Sequence, residues 1–361
     1  MSDKELIALQ DQTFIAEDAD QPVPPHDIVA YNELRSCADL YRMFESGKLE
    51  LKPDFQRDVV WKQDDQSRFI DSLVKQLPIP SMCFSLDYKT QKWKVIDGLQ
   101  RMTAIVKFLG SAPWQLSDLS DTHPILRKAF NTTLKNGTAD EQRVYAMVQD
   151  VSIPITVIRC DYSQANHMRY LFTIFHRLNS GGVRLNNQEI RNCIYSGPFN
   201  DLLKKIDAKD KNWRAIRIRI WGSMDRFRSV EVLLRVLAFS EKLDSYEGNL
   251  AKFLNDYMHS QSNLNGPALE ELEKQLEDTI ERANKILKTE PRGKLPLAKV
   301  EALLVGLYGN ELQVKNRTDE ELIEKFHNLK NKNSFSIGVR FAVSSTENVK
   351  ARLHDALASF V

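Results

Sequence analysis

No stretch of this 361-residue chain approaches the ~18 consecutive apolar side chains of a membrane span, and no apolar leader follows Met1. Neither spanning nor secretion is expected, and the chain reads as cytoplasmic. Cysteine is scarce. Cys37, Cys83, Cys160 and Cys193 stand far apart with no Cys-x-x-Cys pair, which argues against a zinc knuckle or a dithiol centre and suits a reducing compartment. An excess of either charge is lacking too. Lys and Arg number 50 against 49 Asp and Glu, so nucleic-acid binding would have to come from a local patch. With 14 glycines the chain is no low-complexity polymer, and 42% hydrophobic residues suffice for a core. A P-loop is missing as well: Gly47-Lys48 and Gly293-Lys294 lack the upstream glycine spacing and a following Ser or Thr. No repeat with a period of roughly 20 to 50 residues is present.

What is there divides into three parts. Residues 1–26 hold six acidic side chains and one lysine and run through QPVPP, so 1–27 reads as a flexible acidic arm. Residues 28–195 mix strand and helix signals, and 196–361 are helical almost throughout. An α+β fold is expected. In the middle part, NELRSCADLYRMFESG suits a helix stopped by Gly47, and LKPDFQRDVVW is extended. A helix follows, with Phe69, Ile70, Leu73, Val74 and Leu77 on one face. PIPSMCFSLDY and KWKVI read as a strand pair and SIPITVIRC as a buried strand. QANHMRYLFTIFHRL is a helix with Met168, Leu171, Phe172, Phe175 and Leu178 inward. Asn186 and Glu189 have the spacing of a capping box.

The junction WKVIDGLQRMTAIVKFL stands out. Apolar residues at 99, 102, 105, 106 and 109 predict a helix whose first turn carries Gln100 and Arg101 off the apolar stripe. Unpaired amides and the helix dipole make such an end an anion site. Gly98 removes the side chain that would keep a ligand from the backbone, and Arg101 offers a planar fork for phosphate oxygens. Two plainer accounts stand beside this one: Asp97 with Gln100 forms a capping box, and Arg101 pairs with a nearby carboxylate. A second Gln-Arg pair, Gln56-Arg57, lies in the extended segment upstream. Two-letter matches are cheap, and Gln142-Arg143 is a third. A different feature is NWRAIRIRIWGSMDRFR, where Arg217 and Arg219 sit among aromatics as in a groove that tracks a nucleic-acid backbone. An amphipathic helix with a charged face has the same composition.

FQRDVVW, IDSLVKQLPIP, VIDGLQRMTAIVKFL and FHRLNSGGVRLNNQEIRNCIY, in that order, resemble the signature blocks of a bacterial family. It is the ParB/sulfiredoxin-like N-terminal domain of GmrSD-type modification-dependent restriction proteins and related phage-defence proteins. The resemblance implies a ParB/sulfiredoxin-like mixed α/β domain followed by an all-α domain. The family's D-G-Q-Q-R motif corresponds to Asp97, Gly98, Leu99, Gln100 and Arg101, departing at Leu99, which is expected to pack inward. By that resemblance the chain binds a nucleoside triphosphate and hydrolyses it with Mg²⁺. Asp97 would hold the metal, and Asp97, Gln100 and Arg101 would carry the chemistry. Gln56, Arg57, Gly98, Asn179 and Arg184 would bind the nucleotide, although NSGGVR also reads as an ordinary helix stop. Family members often carry a C-terminal HNH nuclease domain; no His-Asn-His cluster is found here, and His327 and His354 are isolated. Cutting of double-stranded DNA would then fall to a partner nuclease or another defence protein. The alternative is a DNA-binding regulatory or nicking module without turnover, with Arg217 and Arg219 on DNA. A sulfiredoxin-type redox role would need a reactive cysteine, and Cys83, the nearest in sequence, sits in an apolar strand.

Overall fold

The apolar runs of the first half pair into one five-stranded sheet. The computed structural model describes residues 24–51, 61–178, 185–222, 227–340 and 344–361, of which 338–340 by backbone alone. Its strands are β1 (Val29–Ser36), β2 (Leu49–Glu50), β3 (Met82–Asp87), β4 (Trp93–Asp97) and β5 (Ser152–Cys160), in the order β1-β5-β3-β4-β2. The β1/β5 and β3/β4 pairs are antiparallel, the β5/β3 and β4/β2 pairs parallel. Central β3 is buried along its whole length, as an apolar strand paired on both edges should be. Ile153, Ile155 and Val157 of β5 share one face, because side chains alternate along a strand, and all three are fully buried. Helices α1 (Cys37–Glu45), α2 (Gln63–Val74), α3 (Leu99–Leu109), α4 (Asn131–Asn136) and α5 (Ala139–Asp150) pack on one another, and α6 (Ala165–Leu178) lies against β4.

Three local expectations change. Residues 32–36 lie in β1, not in the first helix, because Asn32 to Ser36 pair in register with Thr156 to Ser152. The helix starts at Cys37, where the Ser36 hydroxyl accepts the Asp39 N–H at 3.1 Å. Leu77 is 49% and Leu178 47% exposed: α2 stops at Val74, so Leu77 falls beyond its buried face, and Leu178 is the last residue of α6.

Past the end of β5, the buried Asp161 carboxylate receives Lys89 Nζ at 2.7 Å, Ser163 Oγ at 2.6 Å and Ser163 N–H at 2.9 Å, tying the β3–β4 hairpin to the turn before α6. Burial alone pushes its pKa up, but these donors outweigh burial and hold it well below the usual carboxylate range. A group depressed in this way stabilises the fold above its unfolded value of ~3.9, and the gain is lost as pH falls toward the folded value. Thermal melts should therefore show a wild-type midpoint that drops below about pH 4. Asp161→Asn should melt lower at neutral pH and lose part of that slope.

Pro22–Leu185 and Asn186–Val361 form two compact units. The second begins with α7 (Asn187–Ile194), capped by the reciprocal Asn186–Glu189 pair; the sequence had suggested a boundary after residue 195. It continues through α8 (Pro198–Lys209), α9 (Lys211–Trp221), α10 (Arg228–Lys242), α11 (Leu250–Ser260), α12 (Gly266–Lys288) and α13 (Leu297–Gly309). Then follow α14 (Glu311–Lys315), α15 (Asp319–Asn331), α16 (Asn333–Arg340) and α17 (Thr346–Ser359). Helix α13 is apolar nearly all round and packs against α10, α12 and α17, which is what such a pattern requires. An alternating chain of charges runs through this unit. Arg191 meets Glu231 at 2.8 Å, Arg235 lies 3.8 Å from Glu231 and 2.6 Å from Glu301, and Arg352 meets Glu301 at 3.1 Å. The Arg235–Glu301 approach is an ion contact whose alignment falls short of a hydrogen bond. The architecture is α+β, and no helix among the described residues is long and apolar enough to cross a membrane.

Candidate functional site

Strand β4 delivers Asp97 to the sheet edge, and α3 begins two residues later. Gly98 turns the chain with φ 96° and ψ 17°, and no side chain caps the helix. A left-handed backbone there favours glycine, and space demands it as well: a Cβ would lie 2.5 Å from Met82 Cγ. The capping box considered for Asp97 and Gln100 is therefore not formed. Asp97 Oδ2 accepts from Arg101 Nη2 at 2.9 Å instead, so the plainer account of Arg101, a carboxylate partner, does hold.

Arg101 has further partners. Its Nη1 donates to the Pro80 carbonyl and its Nη2 reaches the Ser81 carbonyl at 3.3 Å, so one side chain fastens the entry of β3 to the end of β4. Burial lowers its pKa, the Asp97 charge opposes that, and a guanidinium stays protonated regardless. Of five N–H donors, Nε and one on Nη1 have no partner among the described residues. Asp97 Oδ1 likewise accepts no hydrogen bond from a described residue. Leu99 packs inward, as its place on the apolar stripe predicts. Gln100 Oε1 accepts the Trp61 N–H at 3.2 Å.

Asp97 also lines a cavity of about 330 Å³ bounded by the sheet and α6. Its wall is mostly apolar, with Met82, Ile158, Tyr170 and Ile174, and its polar groups are Asp97, Ser81 and Thr156. Volume and lining match those of small-molecule sites: a concave, mainly apolar pocket with a few converging polar groups. Among the described residues no group of three or more His, Cys, Asp or Glu side chains is arranged to hold a metal. Asp97 can offer only the single carboxylate with which Mg²⁺ is often content when phosphates supply the rest.

Gln56, Arg57, Asn179 and Arg184 lie outside the described residues. Arg217 and Arg219, the DNA-binding candidates, belong to α9 in the helical unit. Arg217 reaches Asp207 at 3.4 Å, and Arg219 spends its fork on the carbonyls of Leu287, Pro291 and Gly293, capping the end of α12. These bonds hold α9 in its own unit, a consequence of long-range partners that the arginine-aromatic composition conceals. Cys83 is buried with its thiol pushed up to about 12, which removes the nucleophile a redox role would need.

Sequence reasoning passed over His167. Its Nδ1 accepts the Asp161 N–H at 3.0 Å, so the proton sits on Nε2, which donates to Asp27 Oδ1 at 2.9 Å. That pair ties the chain just before β1 to α6, next to cavity residues Pro24 and Ile28. No local pattern marks it, since Asp27 and His167 are 140 residues apart.

Residues 38–196 match the family model described as GmrSD restriction endonuclease, N-terminal domain. The match falls on the stretch whose four sequence blocks had suggested that family. No curated protein and no solved structure matches the chain.

Proposed function

We propose that the domain binds a nucleoside triphosphate at the β4–α3 junction and hydrolyses it with Mg²⁺. It would serve as the nucleotide-dependent component of a restriction system that acts on or senses DNA. The observation that carries this reading is the Asp97–Arg101 pair beside a cavity of about 330 Å³, with Asp97 Oδ1 and two Arg101 donors still available. The cavity takes the nucleoside, whose planar base suits an apolar wall carrying Tyr170. The positive end of the α3 dipole and the remaining Arg101 donors face the phosphates, each charged hydrogen bond contributing about 1.5–3 kcal/mol. Asp97 is the residue that would hold Mg²⁺, which neutralises charge on transferring phosphates when bound. Gln100, whose oxygen is held by the Trp61 N–H, is the residue that would align the attacking water. A partner nuclease or other defence protein would do any cutting.

The test is a nucleotide panel with Mg²⁺, run with and without plain and modified duplex DNA, on wild type and Arg101→Ala. Wild type should release phosphate from at least one triphosphate. The variant should lose at least about tenfold of that rate, the scale of removing one charge-stabilising donor, while keeping its circular dichroism spectrum. Absence of nucleotide binding by the wild type would sink the proposal.

A further inference from the structure

Gln100 takes part in a hydrogen-bonded relay that crosses from α3 to α2 and back. Trp61 N–H donates to Gln100 Oε1 at 3.2 Å, and the Trp61 carbonyl accepts Gln66 Nε2 at 3.2 Å. Gln66 Oε1 in turn accepts Lys107 Nζ at 3.1 Å. Each role is forced. A backbone N–H only donates, a carbonyl only accepts, and an ammonium only donates, so neither glutamine amide can be flipped without breaking a bond. Gln66 is 1% exposed, and nothing about an apolar helix face asks for a buried amide there. Burying it would be costly unless both ends were satisfied, as they are. Its two partners belong to different elements, Trp61 to the approach of α2 and Lys107 to the last turn of α3.

We infer that Gln66 is a positioning residue for the β4–α3 site. It holds the Trp61 backbone by the carbonyl while Gln100 Oε1 accepts from the N–H of the same residue, so the Gln100 oxygen is tied to α2. This rests on the nucleotide reading of the junction. The packing of the Trp61 ring on Phe69, with centroids 5.6 Å apart, anchors the same residue apolarly but fixes neither polar atom.

Gln66→Glu tests the role with little change of shape. The carboxylate keeps Lys107 as a partner but has no proton to donate and sets a negative oxygen against the Trp61 carbonyl. Gln63→Ala is the control: Gln63 is an exposed glutamine of the same helix, bonded to the Gln115 carbonyl and outside the relay. Two measurements on the full chain are required. Hydrogen exchange should show the Trp61 amide exchanging faster in Gln66→Glu and unchanged in Gln63→Ala. Steady-state hydrolysis should show kcat reduced by roughly tenfold or more with KM within about twofold, since misplacing a group near the reacting atoms acts on the transition state. A merely structural glutamine would lower the melting temperature without splitting kcat from KM. Wild-type exchange at Trp61, or wild-type kcat, in Gln66→Glu overturns the inference. A wild-type chain inert toward every nucleotide overturns the function reading and the positioning role with it, whereas an active wild type with an equally active Gln66→Glu overturns only the latter.

Discussion

Replacing Glu301 with glutamine is expected to destabilise the helical unit by about 3–5 kcal/mol, the range measured when one partner of a buried ion pair is removed. Glu301 is fully buried, with Arg235 2.6 Å away on one side and Arg352 3.1 Å away on the other. The connected group holds three arginines, Arg191, Arg235 and Arg352, against two glutamates, Glu231 and Glu301. It already carries an excess of one positive charge by that count. Glutamine fills the same space and removes the buried charge that Arg235 and Arg352 share, leaving Glu231 at 3.8 Å as the carboxylate beside Arg235. Urea denaturation checks this, with Glu270→Gln on the exposed face of α12 as a control expected within about 0.5 kcal/mol of wild type. A triple change of Arg235 and Arg352 to Met and Glu301 to Leu should recover most of the loss, because apolar replacement of buried ion partners together is often neutral or better and Arg191 keeps Glu231. A Glu301→Gln variant within 1 kcal/mol of wild type, on the order of an ordinary surface change, would show that the cluster is not electrostatically coupled.

Gly98→Ala is the second large effect, about 2–5 kcal/mol. Left-handed backbone costs an L-residue roughly 1–2 kcal/mol, and forcing a methyl into a packed site adds about 1–3. The crowding atom belongs to Met82 of the buried β3 strand, which has little room to retreat. Gly47→Ala separates the two contributions. Gly47 has φ 66° but nothing within 4 Å of where an added methyl would sit, so it should show the backbone cost alone. The difference between the two urea midpoints reports the Met82 contact, and equal losses at both glycines would mean that β3 yields.

What the sequence made legible was local. The period-3.6 stripe of 99 to 109 located α3 and put Leu99 inward, and the Asn186–Glu189 spacing located the start of α7. Strand β1 was missed because its eight residues are mostly exposed and carry little alternation; only the ladder to β5, more than a hundred residues away, makes them a strand. Asp97 and Gln100 could not be separated from a capping box by spacing, since Asp97 turns to Arg101 and Gln100 to Trp61 through contacts that spacing does not encode. Arg219 shows a related limit, since its bonds to the end of α12 come from residues some seventy positions away. A guanidinium among aromatics looks the same in a sequence whether it awaits a phosphate or closes the end of another helix. The junction itself stood out because a glycine, a helix start and an off-stripe arginine coincide within five residues, a conjunction local enough to read.

The four thiols have a consequence for how the molecule meets oxidants. Cys37, Cys83, Cys160 and Cys193 are all buried and outside any disulfide, and desolvation drives the first three up to about 12. Peroxide attacks thiolate, of which these three hold almost none near neutrality. Oxidation of these three is therefore expected to be slow while they stay buried and to speed up once the surrounding structure opens.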